Sequence, residues 1–520
     1  MKKQAKQIFW NALLLTAASL LIRTVSVSFQ VYISNRAGAE AMGLFSLMTG
    51  VYGFALTLAT SGIHLGVTRV VADAMGRNEP QKIPCAMKYA SLYALGFGLV
   101  SMTLLVSFAD EIGAVWLKDL RTVRSLRLFG LTLPLIALSS AWGGYFTAVR
   151  RVYKNAAVQV GEQAVKIGFT MYLLAFMLPG GIESTCCALV LGGALAELCS
   201  FLLNLILYHF DRRKHFPKRG SVSAPEEGKK LCKIAFPIAV TTYIRSGLIT
   251  LQHILIPRGL RNSGSSHSAA LIAYGSIHSM ALPIILYPAA LISSFSGLLV
   301  PTLAECAVQK ETRRISYMIS RVWSLSLLFS IGVAGILICF SEELGQLLYP
   351  ATQTGEFIRI LAPLIPIMYI DTATDAMMKG LGEQIFSMNI NIMDALISVI
   401  LVWILIPKYG IWGYLIAIYF SEVFNTSLSI HHLLSLGKIP LRPFKWVGKP
   451  LLAIVGATTL GKLLLEFFPL PFTGGGAVTL HCLFVLVLYT ALLLLLGGVE
   501  KEDLVWGRSV FQRERPERSS

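Results

Sequence analysis

The chain has 520 residues, of which 55% are hydrophobic and only 14% are charged. Soluble proteins usually contain about 25% charged residues, so the composition argues against a water-soluble enzyme. The formal net charge of +17 does not indicate nucleic-acid binding, because the basic residues are distributed over the loops between apolar runs and are not clustered on one folded surface. The composition therefore indicates an all-α polytopic membrane protein.

Apolar runs of about 20 residues, the length needed to cross a bilayer, follow one another along the whole chain. The fourteen predicted spans cover residues 8–33, 42–68, 89–108, 126–149, 156–178, 185–208, 234–256, 271–303, 322–340, 357–378, 385–406, 411–434, 447–466 and 477–498.

The orientation of these spans is predicted from the loops, which alternate between basic and poorly charged. With a cytoplasmic N-terminus, most Lys and Arg residues lie on the cytoplasmic side, above all in the stretch 212–233 and after residue 500. This is the distribution that the positive-inside rule describes. We therefore predict a multi-pass protein of the cytoplasmic membrane with both termini in the cytoplasm.

A polar linker divides the first twelve spans into two sets of six. Each set contains a helix with an acidic residue, then a turn rich in Pro and Gly, then a second acidic helix, as expected for repeats related by an axis along the membrane normal. We predict an N-terminal lobe (1–210), a cytoplasmic linker (211–230), a C-terminal lobe (231–436), two additional transmembrane helices (437–498) and a charged cytoplasmic tail (499–520).

Arginines inside predicted spans are the strongest indication of a binding site, since ionisable residues at this depth usually face a cavity or a partner. Arg23 lies in the first span of one lobe and Arg245 in the first span of the other. Two guanidinium groups facing one cavity would bind an anion such as phosphate, with Arg69 as a third candidate. The alternatives are internal ion pairs with Glu162 or Asp394, and an interfacial position for Arg69.

Acidic residues in the predicted spans have two open interpretations. Glu162, which lies one helical turn before Lys166, and the aspartates Asp375 and Asp394 could either bind a coupling Na⁺ or H⁺ or neutralise nearby cations. We expect no cofactor and no metal site, because the sequence has no CxxC motif and no Cys/His cluster at metal-ligand spacing.

Seven short segments, in a shared order across most of the chain, carry a family resemblance. They are Leu58–Ile63, Gly144–Ile167, Ile256–Leu260, Met280–Pro283, Leu299–Glu305, Lys379–Gln384 and Ile406–Tyr414. With these segments the chain resembles the stage V sporulation protein B family of polysaccharide biosynthesis proteins. That family is related to the lipid II flippase, within the multidrug/oligosaccharidyl-lipid/polysaccharide exporter superfamily.

The resemblance implies two six-helix lobes around a central cavity, with the last two helices outside. It also implies alternating-access transport of undecaprenyl-pyrophosphate-linked saccharides, such as peptidoglycan or spore-cortex precursors. Arg23 occupies the place of a cavity arginine of the flippase relatives. The chain departs from them at Ser26, at Phe29 and Gln30, and at His64, which implies a less cationic cavity.

We therefore predict a flippase, functional as a monomer, whose partners are a lipid-linked saccharide and the bilayer. No Walker A motif is present, so a membrane potential or an ion gradient would supply the energy. The first alternative is a cation-coupled multidrug exporter of the same superfamily. The second is a membrane-embedded glycosyltransferase, which would need a large outer loop with catalytic carboxylates; the predicted outer loops are short, so we expect no enzyme.

Overall fold

The computed structural model describes residues 2–60, 62–77, 79–215, 225–350, 352–436, 439, 442–467 and 475–498. In these residues the protein is almost entirely helical and contains no β-strand. The α-helices are α1 (Lys2–Thr60), α2 (Ile63–Gly76), α3 (Ile83–Ser107), α4 (Ala109–Glu111), α5 (Val123–Ala148), α6 (Val152–Met177), α7 (Gly181–His215), α8 (Pro225–Asn262), α9 (His267–Gly275), α10 (Leu282–Leu286), α11 (Ala289–Val308), α12 (Thr312–Cys339), α13 (Ser341–Leu348), α14 (Thr354–Leu361), α15 (Ile365–Leu381), α16 (Gln384–Tyr409), α17 (Ile411–Leu436), α18 (Lys449–Phe467) and α19 (Gly475–Leu495).

Twelve helical stretches of the described residues are long and apolar enough to cross a membrane. Two of them, Leu20–Gly76 and Val152–Lys214, have 57 and 63 residues. At about 1.5 Å per residue, each is long enough for two crossings. Conversely, the predicted eighth span corresponds to two stretches, His267–Leu286 and Ala289–Val308. The helix α17 coincides with the predicted twelfth span. The all-α polytopic fold is confirmed, and the predicted number of fourteen is approximately right.

Glycine and proline residues interrupt the predicted spans at defined points. Gly38 has a φ of 80° and breaks α1 between the first two predicted spans. Gly62 has a φ of 75°, and a Cβ atom there would lie 2.3 Å from the carbonyl oxygen of Ala235. Only glycine combines a left-handed backbone with so close an approach, so the second predicted span is divided between α1 and α2. Pro288 separates α10 from α11.

The helices pack as two units. The N-terminal unit comprises Leu21–Ser279 and Ala395–Ala417. In it, α5 packs against α2, α3 and α7, while α7 also packs against α6. At one end of these helices the buried carboxylate of Asp211 accepts hydrogen bonds from Arg151, Lys154 and Tyr145, so α7 is tied to the α5–α6 turn.

The C-terminal unit comprises Met280–Asp394 and the described residues from Ile418 onward, together with the start of α1. Here α15 packs against α11 and α12, and α12 also contacts α18 and α19. The Tyr489 hydroxyl of α19 donates a hydrogen bond of 2.6 Å to the Leu328 carbonyl of α12. The last two predicted spans therefore pack against α12. Residues 216–224 of the predicted linker and the predicted tail 499–520 lie outside the described residues.

Candidate functional site

Arg23 is an exposed residue of α1. The exposed residues Leu21 and Val25 are each two positions away, so they point about 160° from Arg23 around the helix. Gln30, two turns along on the face of Arg23, donates a hydrogen bond of 3.4 Å to the Ser279 carbonyl. The helix thus directs the exposed Arg23 away from its apolar exposed side and along the face that contacts protein.

Two residues close to Arg245 in the chain, Ser246 and Thr250, join α8 to α1. The Ser246 hydroxyl donates to Thr57 Oγ1 at 3.0 Å, and the Thr250 hydroxyl donates to the Gly50 carbonyl at 2.9 Å. These hydroxyl contacts allow two helices to approach closely where lipid offers no alternative partner. They fix the rotation of α8 about its axis, and with it the direction of Arg245.

Arg245 points to a third side of α8, apart from the line of contact with α1. Its neighbours one turn away are Thr241, four positions earlier, and Ile249, four positions later, each within about 40° of Arg245 around the helix. Val240, an exposed apolar residue, lies about 140° away. The exposed Arg245 therefore lies on a side that is neither the packed face nor the apolar exposed one. Like Arg23 on α1, it points away from the exposed apolar residues of its helix.

The N-terminal unit contains all three predicted anion-binding arginines. Arg69 is exposed on α2, while Gly66, almost one turn earlier, packs closely against Leu231 of α8. The predicted acidic and paired residues are divided between the units. Glu162 and Lys166 belong to the N-terminal unit, and Asp375 and Asp394 to the C-terminal unit.

The N-terminal acidic group consists of Glu162, Lys166 and Glu197. Glu162 and Lys166 lie one turn apart on α6, and Glu197 of the neighbouring α7 interacts electrostatically with both. Tyr52 of α1 also interacts with Glu197 and shares a hydrogen bond of 2.8 Å with the Thr132 hydroxyl. Two carboxylates and one ammonium are thus gathered from adjacent helices.

The C-terminal acidic group consists of Asp371, Asp394 and Glu422, which come from α15, α16 and α17. Glu422 interacts electrostatically with both aspartates. Ser421 donates a hydrogen bond to Asp394, and the Asn425 amide donates to Asp371 at 3.2 Å. Three acidic side chains therefore meet between three helices, with polar groups of α17 oriented toward two of them.

Ser421 and Asn425 are site residues that the sequence analysis missed. They are spaced i and i+4 on α17, which places them on one face of the helix, and Glu422 follows Ser421 directly; this spacing was the available signal. Asp375, by contrast, has local partners, since Lys379 lies 2.6 Å away on the next turn and Ser387 donates to the same carboxylate. Its geometry is that of charge pairing.

Two protein-family models match the chain. The model described as polysaccharide biosynthesis protein matches residues 8–306, and the model described as MatE matches residues 264–404. Both overlap the segments on which the family resemblance was predicted, and the resemblance is confirmed.

Relatives and solved structures extend the likeness over most of the chain. Stage V sporulation protein B of Bacillus subtilis (strain 168) is 27% identical over 435 residues, which are 82% of this chain and 83% of the relative. The lipid II flippase MurJ in an inward closed conformation aligns with a TM-score of 0.69 at 13% identity, covering 95% of this chain and 100% of the other. An inward-facing multidrug resistance MATE transporter aligns with a TM-score of 0.62 at 13% identity, covering 81% and 100%. The two solved structures are a flippase and a multidrug resistance transporter, and this chain shares their fold.

Proposed function

The chain belongs to the polysaccharide biosynthesis protein family, and from this membership we propose that it is a flippase for undecaprenyl-pyrophosphate-linked saccharides. The proposed substrates are peptidoglycan or spore-cortex precursors, and the protein acts in the cytoplasmic membrane. Both termini lie in the cytoplasm, and the monomer is the functional unit. The likeness to stage V sporulation protein B and to the lipid II flippase fold supports this proposal.

The observation that carries the proposal is the matching placement of Arg23 and Arg245. Each arginine lies in the first helix of a predicted lobe and is directed away from the apolar exposed side of that helix. A guanidinium group presents a planar set of donors that binds phosphate oxygens in pairs. Two such groups, with Arg69 toward the cytoplasmic end, would hold a pyrophosphate inside the membrane while the lipid tail stays in the bilayer.

Transport would proceed by alternating access of the two lobes. A pyrophosphate that moves outward works against an inside-negative potential, at about 2.3 kcal/mol per charge for 100 mV. Cations that bind together with the substrate would offset this cost. The energy would therefore come from an ion gradient or the membrane potential, with H⁺ or Na⁺ as the coupling ion.

The C-terminal acidic group is the proposed ion-coupling site, with Asp394 as its predicted member. Three acids that meet between helices favour the binding of a proton or a monovalent cation, since like charges disfavour simultaneous ionisation. Asp375 forms a charge pair with Lys379, and Lys166 offsets part of the repulsion between Glu162 and Glu197. Of the two interpretations of the acidic residues, ion binding is therefore proposed for Asp394, and charge neutralisation for Glu162 and Asp375.

The proposal is tested with the purified protein in liposomes that contain a fluorescent undecaprenyl-pyrophosphate-linked disaccharide. An impermeant quencher then reports how fast the label changes leaflet. A hydrogen bond to a charged group contributes about 1.5–3 kcal/mol, so Arg23→Ala and Arg245→Ala should each slow translocation by about tenfold or more. Arg23→Lys and Arg245→Lys, which keep the charge, should lose less.

Arg127→Ala is the matched control. It also removes one arginine of the N-terminal unit, but from an exposed pair with Asp110, and it should translocate at the parental rate. Normal rates in both Arg23→Ala and Arg245→Ala would refute the anion site. Absence of translocation by the parent protein, in the presence of either ion gradient or a potential, would refute the flippase itself.

A cation-coupled multidrug exporter is the second candidate. The match of residues 264–404 to the MatE model and the C-terminal acidic group favour it, because organic cations pair with buried carboxylates and not with arginines. In the same liposomes, uptake of a cationic dye that depends on Asp394 and not on Arg23 or Arg245 would support the exporter over the flippase.

A further inference from the structure

Two histidines and two tyrosines meet inside the helices of the N-terminal unit. His253 lies on α8, Tyr274 on α9, and His278 in the π-helical turn Ser276–Ala281 that follows α9. Tyr414 comes from the first turn of α17. We call His253, Tyr274, His278 and Tyr414 the imidazole cluster. About 15 Å of helix separates each histidine from the connection between α8 and α9, so both imidazoles lie well inside the predicted spans.

Each imidazole of the cluster has one phenol as its hydrogen-bond partner. His253 Nδ1 lies 2.7 Å from the Tyr274 hydroxyl oxygen, and His278 Nε2 shares a hydrogen bond with the Tyr414 hydroxyl. The centroids of the two imidazole rings are 5.0 Å apart. The His278 ring also lies 4.7 Å from the Tyr274 ring and stacks with the Tyr414 ring at 5.8 Å. Four rings from three parts of the chain thus contact one another.

The surroundings of the cluster provide no countercharge for an imidazolium ion. Tyr274 and Tyr414 are 0% and 1% exposed, and α1 contributes the backbone of Gly50, where a Cβ atom would lie 2.9 Å from His253 Cβ. Among the residues that the structure describes, no carboxylate or ammonium acts electrostatically on either imidazole. An ion without such a partner is disfavoured in apolar surroundings, so both imidazoles are neutral in this arrangement.

The phenol partners can nevertheless accommodate a proton. A neutral imidazole accepts a hydrogen bond at one nitrogen, whereas an imidazolium donates at both. Since a tyrosine hydroxyl can either donate or accept, each phenol can stay bonded to its histidine in both protonation states. The faces of the tyrosine rings also attract a cation. Two imidazolium ions with centroids 5.0 Å apart would repel each other, so the pair would take up one proton and not two.

The backbone around His278 links this histidine to the packing of the helices. The turn Ser276–Ala281 is π-helical, and such turns are rare and frequent at functional sites. The next residue, Ser279, forms hydrogen bonds with the Met42 carbonyl at 3.2 Å and with the Ser46 hydroxyl at 2.6 Å, both on α1. A rearrangement of this turn would therefore change its contact with α1 and the surroundings of His278 together.

We propose that the imidazole cluster is a proton-binding site, neutral when its rings are packed as here and singly protonated when water reaches them. Histidine is suited to this role, because its charge changes within the physiological pH range. A site with different proton affinity in two arrangements couples proton binding to the change between them. This inference rests on the proposed function and adds to it a second proton site, separate from the C-terminal acidic group.

The first test measures the proton itself. The full chain, labelled with nitrogen-15 in its histidines, is placed in lipid bilayers, and the imidazole nitrogen signals are recorded by magic-angle-spinning NMR from pH 8 to pH 5. The variants His253→Asn and His278→Gln identify the two signals. Each variant replaces the bonded nitrogen by an amide that can hydrogen-bond to the phenol but cannot take up a proton. We expect the pair to change from neutral to singly protonated over this range.

The second test measures coupling in liposomes with the fluorescent undecaprenyl-pyrophosphate-linked disaccharide. Translocation by the parent protein should respond to an H⁺ gradient. His253→Asn and His278→Gln should lose this response and keep the response to a Na⁺ gradient, which also shows that they are folded. His64→Asn is the matched control, because His64 Nδ1 is also hydrogen-bonded, to the Ser140 carbonyl at 3.3 Å, but lies outside the cluster. This control should keep the parental response to H⁺.

Two results would overturn the proposal. One is that both imidazoles of the cluster stay neutral at pH 5 in the parent protein. The other is that both variants respond to the H⁺ gradient as the parent does, or that the parent does not respond to it at all. If the parent does not move the lipid under any condition, the proposed function fails, and the NMR titration still decides whether the cluster binds a proton.

Discussion

The two acidic groups of the protein differ in their charge balance. In the N-terminal group, Glu197 interacts with one acid, Glu162, and with one cation, Lys166. In the C-terminal group, the two side chains that act electrostatically on Glu422 are both acidic, Asp371 and Asp394. Similar residues in comparable membrane helices are thus assembled in two different ways.

The difference in charge balance affects how strongly each acidic group would bind an added H⁺ or Na⁺. In the N-terminal group the repulsion of Glu197 by Glu162 is larger than its attraction to Lys166, so the ammonium offsets only part of the repulsion between the carboxylates. Carboxylates that face one another gain much more from a bound cation, because their mutual repulsion disfavours full ionisation. The comparison therefore supports our proposal that the C-terminal group couples to an ion, because Lys166 offsets part of the repulsion in the N-terminal group.

The largest effect is expected from Glu422→Lys, which replaces one of the three acids of the C-terminal group by an ammonium. The new ammonium would take the place of the transported ion, so translocation should slow by about tenfold or more and lose its response to an H⁺ or Na⁺ gradient. Translocation rates with and without each gradient measure this. Glu422→Gln, which is neutral and similar in shape, is the control and should keep part of the response. An unchanged ion response in Glu422→Lys would contradict the assignment.

A smaller effect is expected from Asn425→Ala, which tests the polar lining of the C-terminal group. Asn425 is 8% exposed, and its amide donates to Asp371. Loss of a buried hydrogen bond to a charged group costs about 1.5–3 kcal/mol, so thermal unfolding in detergent should occur at a lower temperature. Asn425→Asp removes the donor while preserving the shape and should be at least as destabilising. If both variants melt like the parent protein, the hydrogen bond to Asp371 does not stabilise the group.

The helices and the positions of the arginines could be predicted from the sequence, because both depend on local pattern. Apolar runs of about 20 residues are sufficient to mark spans. The separation of Arg23 from Leu21 and Val25 follows from helical geometry alone. The division of the second span could not be predicted from the hydropathy pattern, because Gly62 lies in an apolar run and its close contact with Ala235 is tertiary.

The contacts around Asp119 and those in the C-terminal acidic group join residues that are far apart in the chain. Asp119 and His267 are separated by 148 positions, and Ser268 and Glu40 by 228. Periodicity indicates which face of a helix carries a side chain but not which helix packs there. For this reason the sequence analysis placed Asp394 in a span without identifying Asn425 as a neighbour of the group, and it did not connect the outer loops.

Removing the cation of the N-terminal group tests how far Lys166 offsets the repulsion between Glu162 and Glu197. Lys166→Met keeps the length of the side chain and leaves Glu162 and Glu197 facing each other. Since Lys166 is exposed, the expected loss of stability is roughly 1 kcal/mol, measured as a lower unfolding temperature at pH 7. The double variant Lys166→Met with Glu162→Gln relieves the repulsion and should recover most of the loss. A loss that persists in the double variant would mean that packing of Lys166, and not its charge, is responsible.

An effect of similar size is expected just before α5, where Asp119 pairs with the cation of Arg121. The pKa of Asp119 is lowered from its ordinary value of 3.8, so the ionised form is favoured in the folded protein. Its contribution to stability is therefore complete above that ordinary value and is lost as the pH falls through the lower, folded pKa. At pH 7 Asp119→Asn should unfold more easily by about 1 kcal/mol, as for a partly exposed ion pair. The difference from the parent should persist at pH 5 and shrink only below pH 4. A difference that is already lost at pH 5 would show that Asp119 is not held ionised by Arg121 and His267.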